Sequence, residues 1–128
     1  MSTTTKIMIS ILAIFLATIG FLIKIPVPLR GHDKLLHTSF YIGAAAFFHL
    51  LFRKRLFIIL VLLALFGVAI EYMQQLANKF TRSHIHGRFD IEDVYANCKG
   101  LGYYLCFVFV LTVIHKIYLF FQSKPAEK

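Results

Sequence analysis

Four apolar runs, residues 7–25, 35–52, 56–73 and 101–121, fill most of this chain, and each is long enough to cross a bilayer. A helix needs about 20 mostly apolar residues to span the hydrocarbon, within a range of roughly 17–25. Counted inclusively, the runs hold 19, 18, 18 and 21 residues. Hydrocarbon offers no partner to a bare backbone N–H or C=O, so runs of this length satisfy themselves as helices. Charged residues make up 16% of the 128 and mean hydropathy is +0.73. Soluble domains carry about 25% charged residues, so a water-soluble core is excluded. The expectation is one all-α domain over residues 1–128: a four-helix transmembrane bundle with a polar cluster at one membrane face.

The first run follows Lys6, where a secretory signal would sit. It is too long for a signal core and ends in Lys24-Ile25-Pro26-Val27-Pro28 with no small-x-small cleavage site, so it is expected to be a retained span. Pro26 and Pro28 end that helix and force an extended link. Arg53-Lys54-Arg55 form a tight hairpin. Residues 74–89 read as an irregular polar loop because of Ser83, His84, His86 and Gly87. Asp90 is an expected N-cap, with Asp93 as its capping-box partner, so the last helix runs over about 91–121. The tail from Gln122 is expected to fray.

The net charge of +8 does not point to nucleic acid, because the basic residues sit at the ends of apolar runs without a stripe or motif. Cations in those places fix topology and meet lipid head groups. With the N-terminus inside, seven basic residues fall on each side. The compact Arg-Lys-Arg hairpin decides the orientation, since short loops weigh most in the positive-inside rule. Both termini are expected in the cytoplasm. Cys98 and Cys106, eight residues apart, lie about 12 Å apart along a helix, too far for a disulfide; free buried thiols are expected.

Three short polar clusters interrupt the apolar runs: residues 31–37, 71–75 and 88–97. They hold five of the six acidic residues, and four alternating crossings bring all three to the same side. Asp33, His37 and Tyr41 recur every four residues on one helical face, and Asp90, Asp93, Asn97 and Gly100 share another. Glu71, Gln74, Gln75 and Asn78 make a third stripe if the third helix continues. Polar groups at membrane depth seek one another, so a common pocket is expected. Glu71 near a helix C-terminus needs a cation, a metal or a proton, and Lys34 and Arg88 are the candidate cations. The plainer alternative is that Glu71 with Arg88 or Lys34 merely staples helices.

Asp33 and Asp90 read more simply as N-caps than as catalytic groups, and His37 reads equally as a satisfied core histidine. His84 and His86 are more simply solvated loop residues than metal ligands, and no strict metal-ligand or nucleophile motif appears. No cofactor, metal or catalytic residue is assigned. Gly100 is expected to allow close helix contact. Tyr103, Tyr104, Phe107 and Phe109 are expected to face lipid or pack. Two helix N-termini aimed at the pocket favour an anion such as a phosphate.

Three motifs in order carry a resemblance: Asp33-Lys34-x-x-His37 before an apolar helix, Glu71-x-x-Gln74 ending the next, and Arg88-x-Asp90-x-x-Asp93-Val94-x-x-Asn97-x-x-Gly100 opening the last. The chain resembles the VanZ-like family of small bacterial membrane proteins, named for a member linked to resistance to the glycopeptide teicoplanin. The resemblance implies a polar, substrate-binding site at Asp33, Lys34, His37, Glu71, Gln74, Arg88, Asp93 and Asn97. It also implies a place in the bacterial inner (cytoplasmic) membrane. The sequence departs from the family over 75–87, where members carry a shorter stretch before the arginine. Resistance itself does not follow.

Three functions fit these residues. The first is binding or handling of an anionic lipid-linked cell-envelope molecule. The second is a membrane-embedded hydrolase or transferase acting on a lipid head group through Glu71, Asp93 and His37. The third is a purely structural or interaction protein. The expected partner is a membrane lipid or lipid-linked envelope precursor, with no nucleic acid. Four spans make a narrow transporter unless the chain forms a homo-oligomer.

Overall fold

A computed structural model of the chain describes residues 1–23, 31–81 and 89–123. The fold is an all-α bundle of four helices: α1 (Thr3–Leu22), α2 (Asp33–Leu51), α3 (Leu56–Thr81) and α4 (Ile91–Gln122). Among them α1, α3 and α4 are long and apolar enough to cross a membrane. The fourth expected span, α2, falls short by composition because His37, Thr38, Ser39, Gly43 and His49 dilute its apolar character. Its 19 residues still cover about 28 Å, and it is the central helix, with α4 as its most extensive neighbour.

Local chemistry explains the boundaries. Ser2 caps α1 by accepting from the Thr5 N–H at 3.1 Å, so the helix starts earlier than its apolar run. Gly31 takes φ +105° just before α2, a left-handed conformation that glycine adopts without a Cβ penalty. Asp33 is not the N-cap. It is the first helical residue, where the dipole favours a carboxylate. The 52–55 hairpin closes through Arg55 N–H donating to Phe52 O at 2.8 Å.

The end of α3 corrects the expected loop. The helix runs on through residues 74–81, about two turns further, because Gln, Leu, Ala and Lys are good helix formers and no Gly or Pro intervenes. Residues 82–88, with His84, His86 and Arg88, lie outside the described residues, as do 24–30 and the tail from 124. Asp90 caps α4 as expected, accepting from Glu92 N–H at 2.8 Å. Asp93 is not its box partner, because its side chain turns into the bundle.

Tyr41, Ala45, Ile59, Leu63, Leu101 and Tyr104 form the core between α2, α3 and α4. Helices α2 and α4 meet most closely at Gly100, where an added Cβ would lie 2.4 Å from Thr38 O. Thr38 Oγ1 donates to Ala96 O at 3.1 Å beside it. At the far end His49 Nε2–H donates to Arg53 O at 3.1 Å, which leaves Nδ1 to accept from the Tyr104 hydroxyl at 2.8 Å. Tyr103, Phe107 and Phe109 are exposed, whereas Tyr104 is core. Cys98 and Cys106 are free but exposed, not buried.

Helix α1 contributes no buried residue. It packs mainly on α3 and touches α2 through Phe21, whose ring lies 4.8 Å from Phe40 and 5.1 Å from His37. At its other end Lys6 sits 5.8 Å over the Phe52 ring. Between these two anchors the helices stand apart.

Candidate functional site

Helices α2, α3 and α4 each turn one i, i+4 face inward at a common level. From α2 come His37 and Tyr41, from α4 Asp93 and Asn97, and from α3 Glu71. One turn before Glu71, Gly67 leaves room for the others: a Cβ there would sit 2.8 Å from Asn97 Nδ2 and 2.9 Å from Tyr41 Oη. His37 is 3% exposed, Glu71 2%, Asp93 7% and Asn97 1%. Four polar side chains are thus buried at one locus in an otherwise apolar bundle.

Their hydrogen bonding is incomplete. His37 Nδ1 pairs with Asn97 Oδ1 at 2.8 Å. Tyr41 Oη, Glu71 Oε1, Asp93 Oδ1 and Asn97 Nδ2 have no hydrogen-bond partner among the described residues. A buried polar group left unpaired costs about 1–3 kcal/mol, so four such atoms concentrate an uncompensated cost at one place. Glu71 lies within electrostatic reach of Asp93, His37 and Asp33. Asp33 Oδ1 is 3.7 Å from His37 Nε2. One donor atom each from Asp33, His37 and Asp93 fall within 4.8 Å of one another.

The expected site residues separate into groups. Asp33, His37, Glu71, Asp93 and Asn97 come together. Lys34 does not reach Glu71; it pairs with Glu92 on the exposed rim where α2 and α4 start side by side. Gln74 is half-buried and donates from Nε2 to Phe21 O at 2.8 Å, tying the end of α1 to α3. Gln75 is exposed, and Asn78 is half-buried above the cluster. Arg88 lies outside the described residues. Two participants were not singled out in advance: Phe21, and Gly67, whose place four residues before Glu71 was the available signal.

A cavity of about 610 Å³ opens beside this cluster in the gap between α1 and α2. Its walls are apolar, from Ala13, Leu16, Ala17, Phe21 and Phe40, and its polar end is Asp33, His37 and Gln74. A second apolar cavity of about 340 Å³ continues past Phe40 toward Phe47 and Phe48. Together they make a crevice along α1 with one polar end, a shape suited to an acyl or isoprenoid chain bearing a head group. No family model, no curated protein and no solved structure matches this chain.

Proposed function

We propose that the chain is a VanZ-like integral membrane protein that binds or handles an anionic, lipid-linked molecule of the bacterial cell envelope. The observation that carries this is the apolar crevice ending at Asp33, His37 and Gln74. The crevice takes the chain of an amphiphile, and its head meets the N–H donors at the polar end, Gln74 and the helix starts, rather than the carboxylates of the cluster. The starts of α2 and α4 add N–H groups and dipoles that favour an anionic oxygen, and on this reading the head group's cation is Arg88, three residues before α4 in the sequence. The Arg53-Lys54-Arg55 hairpin supports an inner-membrane orientation with both termini cytoplasmic and the cluster outward.

Native mass spectrometry of detergent-extracted protein tests this. The wild type carries lipid adducts. Ala17→Phe, which fills the crevice, and Arg88→Ala, which removes a charge-assisted contact of about 1.5–3 kcal/mol, each reduce them about 10-fold or more. Unchanged adducts in both variants overturn the proposal.

A second function, a hydrolase or transferase acting on the head group, is favoured by the His37 imidazole and Asp33 carboxylate at the polar end of the crevice, with the Asp93 carboxylate close to both. Turnover of a lipid pyrophosphate by purified protein is its signature, and lack of turnover removes it.

A further inference from the structure

His37 is held so that one ring nitrogen is committed and the other is bare. Asn97 Oδ1 is an acceptor, so His37 Nδ1 carries the hydrogen between them, and in this tautomer a neutral imidazole presents a lone pair at Nε2. That lone pair faces Asp33 Oδ1 at 3.7 Å, too far for a hydrogen bond. Asp93, rooted in the first turn of α4, brings a third donor atom within 4.8 Å of both. Its Oδ1 is buried and unpartnered, on a residue 7% exposed. Three electron-rich atoms therefore converge with no positive group between them among the described residues.

We propose that Asp33, His37 and Asp93 bind one divalent transition-metal ion of the zinc type. At a metal–ligand distance of about 2.1 Å, donors 3.7 Å apart subtend about 124° at a shared ion. That angle suits an open tetrahedral or five-coordinate centre. The remaining separations, each within 4.8 Å, must close to about 3.4–3.7 Å for angles of about 109–124° at the ion, and Asp33, whose side chain is 41% exposed, has room to move. One imidazole with two carboxylates selects zinc, manganese or iron over magnesium and calcium, which prefer oxygen alone. Asn97 fixes the tautomer and ring orientation, as outer-shell acceptors do for ligating histidines. Asp33 and His37 also line the crevice, so the open coordination position is presented to whatever lies there. The metal site does not depend on the lipid proposal.

The test uses the full chain in detergent, stripped with a chelator, desalted and titrated with Zn²⁺ alone. Expected is one Zn²⁺ per chain, with affinity reduced at least 10-fold by His37→Ala and by Asp93→Asn, and about 10–100-fold by Asn97→Ala. The His84→Ala/His86→Ala double variant retains full binding. Bound Co²⁺ gives a visible d–d spectrum that His37→Ala alters and His115→Ala does not. Asp93→Asn keeps the side chain's shape, and circular dichroism checks that each variant is helical. Stoichiometry near zero in folded wild type overturns the proposal. So does unchanged binding in both His37→Ala and Asp93→Asn, or binding lost with His84 and His86.

Discussion

At Gly100 a single hydrogen atom decides how closely two helices approach. A methyl there meets Thr38 backbone oxygen at 2.4 Å, and backbone cannot swing aside as a side chain can. Gly100→Ala is expected to destabilise by about 1–3 kcal/mol, seen as a lower Tm in detergent. Gly102, two residues on, has nothing within 4 Å of the added Cβ. Gly102→Ala is expected to gain up to about 1 kcal/mol from helix propensity. Equal effects would disprove the close contact. The role of Gly100 was legible, because it shares a helical face with Asp93 and Asn97. So was the inward stripe of Asp33, His37 and Tyr41. Lys34 was not: its pairing with Glu92 follows from α2 and α4 starting as neighbours, which spacing along one helix does not reveal. The exposure of Cys98 and Cys106 was hidden for the same reason, since an apolar helix shows lipid and core faces alike.

At the scale of elements, a side chain of α3 reaches the end of α1. The last four carbonyls of a helix lack intrahelical partners, and Gln74 satisfies that of Phe21. Gln74→Ala removes a bond worth about 1 kcal/mol. Hydrogen exchange in the last turn of α1 should rise several-fold while the core of α2 is unchanged; equal exchange in both proteins would dismiss the tie. This link exists because α3 continues past residue 73. Polar residues there imitate a loop, although Gln74, Gln75, Leu76, Ala77 and Lys79 favour a helix individually. Composition and propensity point opposite ways over this segment, and propensity prevails. The caps fared unevenly: Asp90 has the expected role, whereas Asp33 and Asp93 entered the site.

At the scale of the whole molecule, the proposed orientation sets which reagents reach which residues. In a cysteine-free background, Glu92→Cys on the exposed rim of the cluster should react with a membrane-impermeant maleimide in spheroplasts. Lys54→Cys in the opposite hairpin should react after lysis alone. The reverse pattern would invert the protein in the membrane. Four apolar runs were enough to read the four helices of the bundle, in which His37, Glu71, Asp93 and Asn97 from the three polar clusters are buried. The crevice was not legible, because nothing in an apolar run announces that α1 is anchored at Phe21 and Lys6 and parted from α2 between them.

The length of α4 has a mechanical outcome. Its 32 residues extend about 48 Å, against hydrocarbon about 30 Å thick, and beyond Val108 every described residue is exposed. The pinned start at Thr38 becomes a pivot, and the unsupported half accommodates mismatch by leaning. Thin bilayers should tilt it and thick ones draw it upright, making membrane thickness a lever on the helix that carries Asp93 and Asn97.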